Sequence, residues 1–192
     1  MDELATAPAL SQDQAILLLQ GLTPEQRSAL EDQILSDPAK ALWSPSPGPQ
    51  SLAYHSEAQE LFYGGSAGGG KSALITGLAL TQHQRSLILR RESTQLRGMV
   101  DDIAKVLGTR NGLSTQAGQW RIPPDKALFP NQLVEFGGVP DPGSEEKHQG
   151  VAHDLLAFDE VTQLSEYVVD YLSSWNRSTV PGQRCRMLLT SN

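Results

Sequence analysis

The residues best suited to chemistry form a glycine-rich run, Gly64-Gly65-Ser66-Ala67-Gly68-Gly69-Gly70-Lys71-Ser72. From Gly65 onward it fits the phosphate-loop pattern G-x-x-x-x-G-K-[ST]. Backbone N–H groups can wrap a triphosphate only where few side chains block the approach, which accounts for the glycines. We predict that this glycine-rich loop (Gly64–Ser72) binds ATP. Lys71 would reach the β- and γ-phosphates, and Ser72 would bind Mg²⁺ through its hydroxyl.

The segments beside the loop have the order that such a motif needs. Leu61-Phe62-Tyr63 is a short apolar run that predicts a buried strand. The residues after Ser72 predict a helix with one apolar face, formed by Ala73, Leu74, Ile75, Leu78 and Ala79. A flexible glycine linker would not carry Lys-Ser at this offset between a strand and a helix. The positive end of the helix would point at the bound phosphates.

A second run, Asp154-Leu155-Leu156-Ala157-Phe158-Asp159-Glu160, predicts a buried strand that ends in two carboxylates. Asp159 would hold Mg²⁺, usually through a water, and so complete the cation site begun by Ser72. Glu160 would act as the general base on the attacking water. A Glu directly after the Asp indicates a hydrolysing ATPase rather than a kinase.

Three further positions carry open alternatives. Thr190-Ser191-Asn192 follows a predicted strand at Cys185–Leu189, and either senses the γ-phosphate through Asn192 or Thr190 or forms a simple turn. Arg90 and Arg91 end a predicted strand at the ligand-binding edge of the sheet. One of them could contact phosphate or DNA, or they could pair with Glu92.

Gln50 precedes the first predicted strand of the nucleotide domain. In several P-loop motor families a glutamine in this region reads the adenine edge. The alternative is a solvated loop glutamine.

Composition limits the class of protein. The 192 residues carry a formal net charge of −7, which excludes a basic nucleic-acid clamp. The single cysteine, Cys185, excludes an internal disulfide and fits a reducing compartment. No apolar run approaches the ~20 residues of a membrane span, so we expect a cytosolic protein.

The domain organisation is predicted from changes in composition and in hydrophobic periodicity along the chain. Residues 1–43 predict a small helical appendage, with capping boxes at Ser11/Gln14 and Thr23/Gln26. Residues 44–50 predict an extended, proline-rich linker. Residues 51–192 form the predicted ATPase domain. Within it we expect a helix over 93–107 and a polar, mobile segment over 141–150. Over 109–143 we expect short strands at 119–122 and 132–136, in a hairpin or a side excursion of the sheet.

Four segments together resemble the ATPase half of a tailed-phage terminase large subunit: FYGGSAGGGKS, LILRR-x₄-L, LLAFDE-x-TQ and LLTSN. The resemblance covers residues 50–192. It implies an α/β P-loop NTPase fold of the additional-strand, catalytic-glutamate class, with a mostly parallel central sheet flanked by helices. In that class the strand after the acidic one lies between it and the strand that leads into the phosphate loop. It also implies that Lys71 and Ser72 bind ATP and Mg²⁺, that Asp159 binds Mg²⁺, that Glu160 is catalytic, and that Thr190-Ser191-Asn192 couple hydrolysis to movement.

By the same resemblance the working motor is a homo-oligomeric ring in the host cytoplasm, transiently at the portal vertex. Its partners would be double-stranded DNA, the portal protein and a small terminase subunit. Two other functions remain open: another P-loop translocase or helicase-like ATPase, and an ATP-binding assembly fragment with little turnover.

Two departures from the family pattern matter. Many relatives have an arginine inside the loop, where this chain has Ala67, so another cation must face the γ-phosphate. The candidates are Arg90, Arg91, Lys147, His148 and Arg177, and we place Arg91 in the predicted catalytic set with Lys71, Glu160 and Asn192. Relatives also carry a nuclease domain, whereas we expect no DNA cleavage from this chain.

Overall fold

The structure, a computed structural model, describes residues 21–26, 39 and 42–192. The chain divides into two compact units, Met1–Ala41 and Leu42–Asn192. In the first unit, the predicted capping box at Thr23 is confirmed: the Thr23 N–H donates to Gln26 Oε1 at 2.9 Å, and the Gln26 N–H donates to Thr23 Oγ1 at 3.3 Å. The other capping box, Ser11/Gln14, and most of the predicted appendage lie outside the described residues.

The second unit is built on a seven-stranded sheet with the order β1-β7-β6-β2-β5-β4-β3. The strands are β1 Glu60–Gly64, β2 Arg85–Arg90, β3 Leu113–Ser114, β4 Gln119–Arg121, β5 Leu133–Gly138, β6 Leu155–Phe158 and β7 Arg186–Ser191. From β1 to β5 along the sheet all neighbours are parallel, and β4 and β3 add an antiparallel edge. The predicted fold class, mostly parallel α/β, is confirmed.

The sheet order also gives β7 the position expected for the catalytic-glutamate class. This last strand lies between β1, which leads into the glycine-rich loop, and β6, which ends at the acidic pair. Because β1, β7 and β6 are parallel, their carboxyl ends meet at one edge of the sheet.

Helices cover both faces of the sheet. They are α1 Pro49–His55, α2 Lys71–Thr81, α3 Arg97–Leu107 and α4 Glu166–Ser173. Alternate side chains of the strands point to opposite faces. Ile88, Ala157 and Leu188 therefore pack in a core cluster with α1, α2 and α3, whereas Leu87 and Phe158 pack in a second cluster with α4. No helix in the described part of the chain is both long and apolar enough to cross a membrane.

The proline-rich segment differs from an extended linker at its end. Pro49 begins α1, since proline is compatible with the first turn of a helix, and Gly48 precedes it with φ of 90°. Trp43 packs against Tyr54 of α1, with ring centroids 5.4 Å apart, and against Gly77 of α2, where a Cβ would collide with the indole. These residues therefore belong to the packed second unit.

Two other segments differ in detail from their predictions. The predicted helix over 93–107 begins with a 3-10 turn, Ser93–Leu96, before α3, and ends as expected at Gly108. The polar segment after Asp141 contains a 3-10 helix, Ser144–His148, in which Glu145 is buried and accepts a hydrogen bond from the Gly143 N–H at 2.9 Å. The short strands predicted within 109–143 are present as β4 and β5.

Candidate active site

The glycine-rich loop connects β1 to α2 and depends on its glycines. Gly70 has φ of 76° at the N-cap of α2, and Gly68 has φ of 83°; both values lie in the left-handed region that favours glycine. The Gly69 N–H donates to Ser66 O at 3.1 Å, and the Tyr63 hydroxyl donates to Gly69 O at 3.0 Å. The loop is thus closed on itself and anchored to the strand before it.

Lys71, the first residue of α2, is 8% exposed, and its ammonium lies inside the loop. It donates to Gly65 O at 2.7 Å, to Ser66 O at 3.0 Å and to Asn192 Oδ1 at 2.6 Å. All three donors of the ammonium therefore have acceptors. A bound phosphate would have to replace some of these acceptors.

The acidic pair follows β6 directly. Asp159 is 4% exposed, and its Oδ1 accepts a hydrogen bond from Thr190 Oγ1 at 2.9 Å. Glu160 has φ of 56° and ψ of 52°, a left-handed conformation that is uncommon outside glycine. Its Oε1 accepts a hydrogen bond from Asn192 Nδ2 at 2.8 Å. Strained backbone of this kind often occurs at functional sites.

Asn192 joins the two halves of the predicted site. Its amide oxygen accepts from Lys71 and its amide nitrogen donates to Glu160, so one side chain spans the distance between the loop lysine and the acidic pair. The neighbouring Ser191 also contacts both halves: its carbonyl accepts from the Gly65 N–H at 3.2 Å, and its hydroxyl lies 2.8 Å from Thr162 Oγ1. The structure therefore brings Lys71, Glu160 and Asn192 together at one edge of the sheet.

The candidate cations lie at different distances from the acidic pair. Arg90 lies beside the acidic pair, with Nη1 3.5 Å from Asp159 Oδ2. Arg91 is exposed. Arg177 lies at the opposite edge of the sheet, because its N–H donates to the carbonyl of His153, which precedes β6; its guanidinium stacks over Trp175.

Lys147 and His148 line a different feature, a groove of about 930 Å³ that is also lined by residues of β5 and α3. Burial, with a smaller contribution from Lys147 and His153, lowers the pKa of His148 to about 4. His148 is therefore neutral at pH 7 and cannot supply a positive charge there.

Gln50 is buried in α1 and its amide is already engaged. Its Nε2 donates to Gly70 O at 2.8 Å, and its Oε1 accepts from the Ser46 N–H at 2.6 Å. A Cβ on Gly70 would come within 2.5 Å of that Nε2. Gln50 therefore supports the loop at the start of α2, so reading adenine would require it to give up these partners. No local pattern indicated this contact or the one from Tyr63, because both depend on tertiary packing.

The residues predicted to hold Mg²⁺ suit that ion. Ser72 and Asp159 supply a hydroxyl and a carboxylate, which are hard oxygen ligands. Among the described residues there is no cluster of three or more His, Cys, Asp or Glu side chains that could hold a metal. Mg²⁺ is usually bound through one or two carboxylates together with substrate phosphates, and Asp159 would supply one such carboxylate.

Solved structures share this architecture. The large terminase of a thermophilic bacteriophage matches in one crystal form with a TM-score of 0.54 and in a complex with ADP with a TM-score of 0.53. Both are 18% identical to this chain over 82% of its length. The chain has the fold of phage large terminases.

The likeness to terminases is one of structure rather than of close sequence. The bacteriophage HK97 large terminase is a more distant match, with a TM-score of 0.49 and 14% sequence identity. That match covers 76% of this chain and 33% of the HK97 protein. The chain spans only 38% of the length of the terminase from the thermophilic phage. No protein-family model matches the sequence, and no curated protein matches it.

Proposed function

We propose that this chain is the ATP-hydrolysing motor domain of a phage terminase large subunit, which drives double-stranded DNA into the procapsid. The observation that carries the proposal is the Asn192 side chain, which hydrogen-bonds to both Lys71 and Glu160. The terminase fold and the position of β7 between β1 and β6 support it.

The residues at this edge of the sheet divide the chemistry between them. Backbone N–H groups of the glycine-rich loop and the N-terminus of α2 would wrap the phosphates of ATP. Lys71 would exchange loop carbonyls for β- and γ-phosphate oxygens. Ser72 and Asp159 would hold Mg²⁺, which neutralises phosphate charge when bound.

Glu160 would act on the attacking water. Its carboxylate accepts a proton as the water oxygen bonds to the γ-phosphorus, and the bond from that phosphorus to the bridging oxygen of ADP breaks. The products are ADP and inorganic phosphate. Asn192, which holds Glu160 at 2.8 Å, would orient the carboxylate for this transfer.

Coupling to movement would pass through β7. Thr190, Ser191 and Asn192 contact the acidic strand, the turn after it and the glycine-rich loop, so a change at the γ-phosphate reaches all three elements. In the working motor we expect a homo-oligomeric ring, bound to the portal protein, a small terminase subunit and double-stranded DNA. Its place would be the host cytoplasm, transiently at the portal vertex of the procapsid.

The test is ATP turnover by the wild type and by Glu160→Gln, with and without double-stranded DNA and portal protein. The glutamine retains an oxygen that can accept from Asn192 but cannot take the proton. We expect kcat to fall by about 10²–10⁴-fold while ADP affinity is kept. Glu57→Gln, at an exposed position before β1, is the matched control. ADP binding without turnover by the wild type would instead indicate an assembly fragment, and strand unwinding would indicate a helicase.

A further inference from the structure

Arg90, the last residue of β2, lies next to the acidic pair because of the strand register. Leu89 is paired with Phe158 in the parallel ladder, and the Asp159 N–H donates to Leu89 O at 2.8 Å. The next residue on each strand is therefore Arg90 on one side and Asp159 on the other. The register fixes this neighbourhood independently of side-chain conformation.

The guanidinium of Arg90 faces both carboxylates and is docked on neither. Nη1 lies 3.5 Å from Asp159 Oδ2, and Nη2 lies 4.0 Å from Glu160 Oε1. Both distances exceed the ~2.7–2.9 Å of a charge-assisted hydrogen bond. One positive group thus balances two adjacent negative groups at once.

The guanidinium is held in this place from outside the acidic pair. Nη1 donates to the carbonyl of Gln95, in the 3-10 turn Ser93–Leu96, at 3.3 Å. Its Nε is buried and has no hydrogen-bond partner within the described structure. A buried donor without an acceptor is unfavourable.

We propose that Arg90 is a positioning residue that keeps Asp159 and Glu160 oriented at the sheet edge before the nucleotide arrives. The proposal rests on the proposed function, in which Glu160 is the general base. It predicts that removal of the guanidinium lowers turnover but strengthens cation binding. Removing the guanidinium frees Glu160 to leave its orientation, which lowers kcat. It also removes a positive charge beside Asp159, which favours binding of a divalent cation.

The experiment compares Arg90→Gln and Arg90→Lys with the wild type. Arg121→Gln and Arg121→Lys, at an exposed position of β4, are the controls. ATP turnover gives kcat and KM. Titration of the ADP complex with Mn²⁺, with free Mn²⁺ followed by electron paramagnetic resonance, gives cation affinity without catalysis. Thermal unfolding monitors the fold of each variant.

For Arg90→Gln we expect kcat to fall about a hundredfold with KM for ATP nearly unchanged, because the base is displaced but the loop is intact. The Kd for Mn²⁺ should fall by about three- to tenfold. Arg90→Lys keeps the charge but cannot face both carboxylates, so it should keep the wild-type Mn²⁺ affinity and recover part of kcat.

Three outcomes decide against the proposal: weaker Mn²⁺ binding in Arg90→Gln, turnover equal to that of the Arg121 controls, or equal kcat loss in both Arg90 variants. If Arg90→Gln does not fold, the kcat and Mn²⁺ affinity of Arg90→Lys decide the question. A wild type that binds ADP without turnover would contradict the proposed function. The Mn²⁺ titration would still show whether the positive charge of Arg90 weakens cation binding beside Asp159. A wild type that binds neither ADP nor Mn²⁺ overturns both proposals.

Discussion

Lys71 and Asn192 are joined by a hydrogen bond of 2.6 Å although they lie 121 positions apart in the sequence. The same asparagine donates to Glu160. A phosphate that draws the ammonium of Lys71 toward itself removes one of the two partners of the Asn192 amide. In the proposed mechanism, the orientation of Glu160 is thereby linked to the occupancy of the loop.

Substitution of Asn192 should separate catalysis from binding. In Asn192→Ala, Glu160 loses its 2.8 Å donor, whereas Lys71 keeps the carbonyls of Gly65 and Ser66. We expect kcat to fall about 10–100-fold and ADP affinity to change less than about threefold. Steady-state turnover and calorimetric titration with ADP measure the two effects. Asn111→Ala, in the exposed loop before β3, is the control, and a kcat equal to that control would contradict the prediction.

Thr190 should matter through Asp159. The threonine is fully buried, and its hydroxyl donates to Asp159 Oδ1 at 2.9 Å. Thr190→Val keeps the shape but removes the donor, so divalent-cation affinity in the ADP complex should fall by about 10–100-fold. Thr190→Ser, which keeps a hydroxyl, should stay close to the wild type. Equal cation affinities in the valine and serine variants would show that the hydrogen bond has no part in holding the carboxylate.

Gln50 allows a test between recognition of the base and support of the loop. Its amide holds Gly70 O and the Ser46 N–H, so Gln50→Ala should loosen the start of α2 and weaken ATP and GTP binding to the same degree. The loss of a buried hydrogen-bonding amide should also lower the free energy of unfolding by about 1–3 kcal/mol. Competition binding of the two nucleotides and urea unfolding measure these effects. A selective loss of ATP over GTP would instead support the adenine-reading role.

His148 should give the fold a defined sensitivity to acid. Burial lowers the pKa of its imidazole from 6.5 to about 4 in the folded chain. Between these values the unfolded chain binds more protons than the folded chain, so stability falls as the pH drops from about 6.5 to about 4. Allowing for partial exposure of the ring, we expect about 1–2 kcal/mol.

The matched comparison is urea unfolding of the wild type and His148→Gln at pH 7.5 and pH 4.5. The variant should lose less stability between the two pH values than the wild type does. Identical losses would assign the acid sensitivity to other groups, such as Glu135, which lies near this ring.

Much of the fold and of the site follows from local pattern. The strand before the loop, the helix after it and the strand before Asp159 are each marked by apolar runs, and all three are present. The predicted environment is wrong for two of them. Phe62 of β1 is exposed rather than buried, and α2 is buried on nearly all sides, with Ala73 exposed, instead of having one apolar face. The placement of Lys71 and Glu160 at one sheet edge then follows, because parallel strands align their carboxyl ends.

The remaining features depend on contacts that local pattern does not encode. By its local pattern, Pro49 is compatible with an extended linker. It begins a helix instead, because α1 packs on the core through Ala53 and proline is compatible with the first turn of a helix. Arg90 and Arg91 are adjacent and alike in sequence, and only the register between β2 and β6 shows which one lies beside Asp159.

Because β7 lies between β1 and β6, these two strands cannot be joined in the sheet before β7 is in place. Tyr63 and Thr190 are register partners across more than half of the chain, and pairings of such long separation form slowly. During synthesis the loop, its lysine and both acids emerge before the strand that joins them. A ribosome-bound nascent chain therefore cannot join Lys71 to Glu160 through Asn192 until β7 and Asn192 have left the exit tunnel.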